Sequence, residues 1–376
     1  MARHAHRLAG RLLAGAIALA CIGAEAASAQ SPQPVAQLLG PDGKFVDPPL
    51  AGSPVDDLPY NGRVLASFGE RPVFSPDGTR IAFIGRSYGD AFEYDMRTGR
   101  TRNLTSHTPH AGFLRVHYLA DGNFLLLGPR RMGASTMATR LTAIELWYLD
   151  AAATGPVKPL GQVVWEGLAV ARDANRIAWS IRRPESSHTE PLDGYTALMT
   201  GEIVVENGHP RLADVREHAR RRWSQCYIEP QDFYDGGRRV TASCYRYQQL
   251  LTPANVADYL TIESRVWSIE LATGAMTPIP TPPALYAEPE GILPNGRETL
   301  VECGNDDRTG LDICRLELTT DNPRYTRLTY ATRYGRFRFS NPVVSPDGRT
   351  IAFQAGRAAT EPGVGDGILI MDMPPQ

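Results

Sequence analysis

The chain has 376 residues, 42% hydrophobic and 21% charged, with 35 Gly, 30 Pro and a formal net charge of −2. That balance describes a turn-rich globular chain. It excludes the strongly basic face that nucleic-acid binding needs, since the one dense cationic run, Arg216 to Arg222, reads as a solvated loop or short helix.

Arg3, Arg7 and Arg11 lead into the apolar run Leu12 to Ile22, and Ala27-Ser-Ala29 precedes Gln30. These are the three parts of a secretory signal, with an apolar run too short for a stable membrane anchor. Residues 1–29 are therefore expected to be removed, leaving a periplasmic or secreted chain without a transmembrane segment. Lipidation of Cys21 is the alternative. Cleavage after Ala29 would remove three Arg and one Glu and shift the net charge to −4. Residues 30–60 hold Pro at 32, 34, 41, 48, 49, 54 and 59 and read as an irregular lead-in.

An internal repeat follows. Pro72-Val-Phe-Ser-Pro-Asp-Gly-Thr-Arg-Ile-Ala-Phe83 returns as Pro342-Val-Val-Ser-Pro-Asp-Gly-Arg-Thr-Ile-Ala-Phe353. Each is a strand, a tight turn and a second strand, with Pro presetting φ and Gly supplying positive φ. Relaxed copies begin at Val116, Leu168, Gln231 and Glu290, making six. Further strands follow each pair, as in Phe92 to Met96 turning at Arg97-Thr-Gly99, or Ile203 to Glu206 turning at Asn207-Gly208. The pattern predicts an all-β chain: a six-bladed β-propeller of four-stranded antiparallel blades over residues 61–376. The last unit holds only three strands, so Gly62 to Ala66 is expected to complete it and close the ring. Insertions are expected at Arg182 to Gly201 and Tyr245 to Glu263.

Two short motifs carry less than their patterns suggest. Gly85-Arg-Ser-Tyr-Gly89 matches the Gly-x-Ser-x-Gly nucleophile pattern, but it joins two strands where that motif needs a strand turning into a helix. His107 and His110 have no nearby Cys or acid that would complete a zinc set.

Cys226, Cys244, Cys303 and Cys314 remain after signal removal. An even number in an exported chain reads as two disulfides. Each neighbouring pair spans one hairpin, where opposed Cβ atoms are close, so Cys226–Cys244 and Cys303–Cys314 are the expected bridges.

Ser75-Pro-Asp-Gly78, Ile81-Ala-Phe83, Tyr94-Asp-Met96, Thr98-Gly99 and Asn103-Leu-Thr105 together resemble the repeat of the TolB-like six-bladed β-propellers, as does Asn341 to Phe353 with Ile370-Met-Asp-Met373. The resemblance covers about residues 62–373. It implies a propeller that binds an envelope protein, as the family's namesake binds a peptidoglycan-associated lipoprotein. Residues 30–60 are too short for the separate N-terminal domain found there.

Aligned on their turns, the six inner strands carry Glu70, Leu114, Glu166, Glu229, Glu288 and Ser340 eight residues before the turn glycine or its equivalent. Neighbouring slots add Arg71, Arg115, His117, Gln231, Asp232 and Glu290. Equivalent positions of inner strands line a propeller's channel at one depth, so a glutamate-lined channel mouth is expected. Such a ring suits Ca²⁺, a cationic partner, or acid-base work by Glu229, Glu288 and Glu290 on a glycosidic bond. The leading expectation is non-catalytic binding of a periplasmic or envelope protein, peptide or saccharide at these residues. A carbohydrate-active hydrolase or lyase is one alternative, and a scaffold docking partners through its loops is another.

Overall fold

The computed structural model describes residues 36–376 other than 46, 60, 184–193, 248–261, 284, 306–309, 358–364 and 374–376. The expected signal segment and Cys21 lie outside the described residues.

Two short strands, β1 (Gln37–Leu38) and β2 (Gly62–Ala66), precede the first blade. That blade holds β3 (Glu70–Phe74), β4 (Arg80–Ile84), β5 (Ala91–Asp95) and β6 (Arg100–Asn103). The second holds β7 (Arg115–Tyr118), β8 (Phe124–Pro129), β9 (Ile144–Leu149) and β10 (Lys158–Val163), with helix α1 (Thr136–Thr142) between β8 and β9. The third holds β11 (Trp165–Val170), β12 (Arg176–Arg183), β13 (Tyr195–Glu206) and β14 (His209–Arg222). The fourth holds β15 (Tyr227–Tyr234), β16 (Arg239–Tyr247), β17 (Ile262–Glu263), β18 (Val266–Glu270) and β19 (Met276–Pro278). The fifth holds β20 (Leu285–Ile292), β21 (Glu298–Asn305), β22 (Asp312–Glu317) and β23 (Tyr325–Arg327), and the sixth β24 (Phe337–Val344), β25 (Thr350–Arg357) and β26 (Gly367–Asp372). All pairings within the blades are antiparallel meanders. The all-β six-bladed propeller is thus the fold, and β2 completes the last blade by pairing with β26, Val64 facing Leu369.

The repeated turns explain themselves chemically. Ser75 Oγ donates to Asp77 Oδ1 at 2.5 Å and accepts from Arg80 N at 3.0 Å, while Asp77 Oδ1 accepts from Thr79 N at 3.1 Å. Ser345, Asp347, Arg349 N and Thr350 N repeat that set at 2.6–3.0 Å. Ser and Asp satisfy backbone donors that a tight reversal leaves over, and Gly78 and Gly348 take φ of 70° and 75°.

Apolar faces of successive blades pack on one another. Leu125, Leu127 and Leu146 of the second blade meet Leu168, Ile177 and Trp179 of the third, all buried. Leu300 and Ile313 of the fifth meet Phe339, Phe353 and Leu369 of the sixth.

Several expectations change. The lead-in is irregular apart from β1 but is anchored: β1 adds a fifth strand beside β23, Asp47 pairs with buried Arg327, and Tyr334 donates to Asp57. Of the segment Arg182 to Gly201, β12 reaches Arg183 and β13 starts at Tyr195, and residues 184–193 lie outside the described ones. Tyr245 to Glu263 likewise begins and ends in β16 and β17. Arg216 to Arg222 is an outer strand, neither loop nor helix. Its charges and the two register shifts against β13 suit an edge that must not recruit another strand.

Both expected disulfides are present, with Cα–Cα separations of 5.3 and 5.9 Å. They run diagonally where direct opposition was expected, because Cys244 faces Ile228 while Cys303 faces Asp312 and Cys314 faces Val301. Among the described residues no helix is long and apolar enough to cross a membrane.

Candidate functional site: a central cavity with one polar end

Inner strands β3, β11, β15, β20 and β24 each break register near their middle, between Glu70 and Val73, Trp165 and Leu168, Pro230 and Asp232, Pro289 and Ile292, and Ser340 and Val343. Such bulges bend a strand and re-aim its side chains. Arg71, Gly167 and Asn341 occupy one equivalent slot with φ of 53°, 77° and 48°, whereas the fourth and fifth blades place Pro230 and Pro289 there, whose rings forbid that conformation. The bulges therefore differ between blades, and equal register does not give equal direction.

The glutamates accordingly divide. Glu70 accepts from Ser87 Oγ at 2.7 Å and from Arg71 Nη1 at 3.3 Å. Glu229 accepts from Arg115 Nη2 at 3.3 Å and from Gln231 Nε2 at 3.4 Å. A Cβ on Gly167 would stand 2.2 Å from Glu229 Cγ, so the glycine makes room for this glutamate. Glu288 accepts from Gln231 Nε2 at 3.2 Å and from the hydroxyls of Tyr245 and Tyr286. Glu166 lies in β11, and nothing is described of its side chain.

A central cavity of about 170 Å³ runs from the level of the bulges to the Ser-Pro-Asp-Gly turns. Val73, Val116, Leu168, Val170 and Val343 form apolar wall, and Arg71, Arg115, His117, Gln231, Asp232, Glu290 and Asn341 supply the polar groups. Glu70, Glu229 and Glu288 do not line it. They are buried, at 1%, 3% and 6% exposure, so the expected glutamate-lined mouth is corrected to a buried acidic layer behind the cavity wall. At that end Trp165, Trp223, Tyr227, Tyr245, Tyr286 and Leu311 form a buried cluster.

One carboxylate oxygen from each of Glu288, Glu290 and Glu302 lies within 4.8 Å of the other two. Burial first, then the charges of Glu288 and Glu302, hold the Glu290 carboxyl well above the usual carboxylate range. Asp232 is pushed up to about 6 by burial, against the pull of Arg172 and the N–H of Ile292. His117 is held down at about 3 by burial and by Arg115, hence neutral, and its Nε2 is buried without a hydrogen-bond partner.

Sequence reasoning missed Glu302 and Asn341. Asn341 N and Nδ2 donate to Glu302 Oε1 at 2.7 and 3.2 Å, and Nδ2 also reaches Glu290 Oε1 at 3.2 Å. The available signals were the hairpin register that sets Glu302 across from Glu288 and the equivalence of Asn341 with Arg71. The two short motifs are structural: Ser87 bonds Glu70 in a hairpin loop, while His107 and His110 bond Gly155 O and Asp90 separately.

The molecule is thus a six-bladed propeller whose central cavity meets a buried cluster of acids. No protein-family model and no curated protein sequence matches the chain. Solved structures of similar fold include a putative TolB from Agrobacterium tumefaciens, with 13% identity, 75% of this chain and 97% of that one covered, and a TM-score of 0.45. An oligogalacturonate lyase in complex with manganese has 15% identity, coverages of 80% and 74%, and a TM-score of 0.47. A calcium-binding regucalcin from Agrobacterium tumefaciens has 12% identity, coverages of 84% and 95%, and a TM-score of 0.49. These likenesses are of fold, and one fold hosts many functions.

Proposed function

We propose that the protein is an exported, TolB-like propeller that binds a ligand or a partner's segment in its central cavity without transforming it. The observation that carries this reading is a concave, largely apolar space with a few convergent polar groups, one of them a carboxyl with a displaced pKa. That combination marks binding sites generally. Two disulfides suit an oxidising compartment, and export with cleavage near Ala29 follows from the signal-like N-terminus, lipidation of Cys21 being the alternative. The partner class is a periplasmic or envelope protein, a peptide or a saccharide.

Ca²⁺ suits the acidic triad only in part. Such an ion takes about six to eight oxygen ligands, yet the Tyr245 and Tyr286 hydroxyls already donate to both oxygens of Glu288, and Asn341 donates twice to Glu302 Oε1.

A thermal-shift screen with small ligands of cationic, anionic and neutral classes tests the binding reading. Hits should stabilise the native chain and lose their effect in Leu168→Trp, which fills the cavity. Absence of stabilisation by every class would sink it.

A hydrolase or lyase is the second reading. Asp232 and Glu290 favour it, as two acids on one cavity held protonated to higher pH. Turnover of an oligosaccharide panel, lost in Glu290→Gln, would replace binding with catalysis.

A further inference from the structure

We infer that the ligand presents an alkylammonium group to the cavity, its nitrogen meeting Glu290 and its aliphatic stem lying along Val116, Leu168 and Val343. The inference rests on the binding reading above.

Each guanidinium on the cavity wall already has a carboxylate: Arg71 has Glu70, Arg115 has Glu229, and Arg172 stands 3.7 Å from Asp232. Glu290 differs. It is 8% exposed, its described hydrogen bond is a single one from Asn341 to Oε1, and the acids Glu288 and Glu302 act on it more strongly than the opposing charge of Arg115, which Glu229 already holds. Oε2 is left for a ligand at the cavity wall, in a field that repels anions and draws cations.

Two more groups on the same cavity suit an N–H donor. Gln231 spends Nε2 on Glu229 and Glu288, which leaves its side-chain carbonyl as an acceptor. Neutral His117 holds a shielded Nε2 without a partner. An ammonium carries three donors and no acceptor. A bare divalent ion would instead compete with the hydroxyl and amide donors already seated on Glu288 and Glu302. The apolar walls argue further for a cation on a hydrocarbon stem, since they would do nothing for a hydrated ion.

An ammonium seated on Glu290 pairs with its carboxylate form, so binding opposes the burial and like charge that raise this carboxyl.

Isothermal titration of the full-length protein with n-butylammonium and with N-acetyl-lysine methylamide tests the idea, with 1-butanol and CaCl2 as controls. Both ammonium probes should bind. Glu290→Gln should weaken them by about tenfold or more, and Val343→Phe, which narrows the stem's path, should weaken them independently. Binding of the lysine amide alone assigns the group to a partner's lysine, whereas binding of both probes admits a free amine. Equal binding of 1-butanol, unchanged affinity in Glu290→Gln, or binding of Ca²⁺ alone overturns the inference. Anionic or neutral hits only, in the ligand screen, overturn it while sparing the binding reading.

Discussion

Glu288 stands directly across the β20–β21 hairpin from Glu302, so two carboxyl side chains share one face of the fifth blade. Like charges placed so are destabilising. The fold answers with donors from three directions: Tyr245 from the fourth blade, Tyr286 from the same strand, and Asn341 from the sixth. Glu290, close by, meets the remaining repulsion by holding its proton more tightly.

Asp232 predicts a pH effect of definite sign. Its carboxyl rises from 3.8 to about 6 on folding, so its favourable contribution is complete below about pH 3.8 and is lost as pH rises through about 6. Asp232→Asn should therefore reduce the loss of stability between about pH 4 and pH 7 by about 3 kcal/mol relative to the native chain. Urea denaturation of both proteins at both pH values measures this, and parallel profiles would refute it.

The Cys303–Cys314 bridge closes a short loop, with a sequence separation of 11. Replacing both cysteines with Ala should cost about 2–4 kcal/mol, read as a lower melting temperature. Intact mass with and without reductant should reveal two bridges, and four free thiols would contradict both assignments.

Ser87 sits in the Gly-x-Ser-x-Gly pattern but donates to buried Glu70. Ser87→Ala should cost about 1 kcal/mol or more, because Glu70 loses a donor. Hydrolysis of p-nitrophenyl esters should stay at the uncatalysed rate in both forms. Turnover abolished by the substitution would restore the serine as a nucleophile.

Arg327 is fully buried against Asp312 and Asp47, with its guanidinium over Phe45 and Tyr330 at 4.1 and 4.4 Å. Arg327→Met strands both acids and should cost about 3–5 kcal/mol. It should also free the lead-in, so limited proteolysis near residue 47 should quicken before global unfolding. Unchanged cleavage there would show that other contacts fix the segment.

The fold was legible because its signal is local. Ser75, Asp77 and Gly78 build a turn whose donors they satisfy themselves, and the same chemistry recurs at Ser345, Asp347 and Gly348. The site was only partly legible, because it depends on neighbours that no single repeat contains. Glu70 and Glu229 share a register position, yet one lies with Ser87 and Arg71 and the other beside Gly167 with Arg115. Glu302 escaped notice because it belongs to a second strand, where the search followed inner strands only. The lead-in is irregular apart from β1, and what its prolines did not signal is its anchoring, since Asp47 and Asp57 find their partners on and beyond the fifth blade at Arg327 and Tyr334.

The pairing of Val64 with Leu369 bears on how the molecule is made. Three hundred residues of chain must be in place before that contact can form, and non-local contacts of this kind slow folding. Until then the outer edge of β26 has its backbone groups open to strand capture by another molecule. Any state of the chain in which the sixth blade lacks its outer strand therefore carries that hazard. A peptide mimicking Gly62 to Ala66 would pair with that open edge and leave the closed ring untouched.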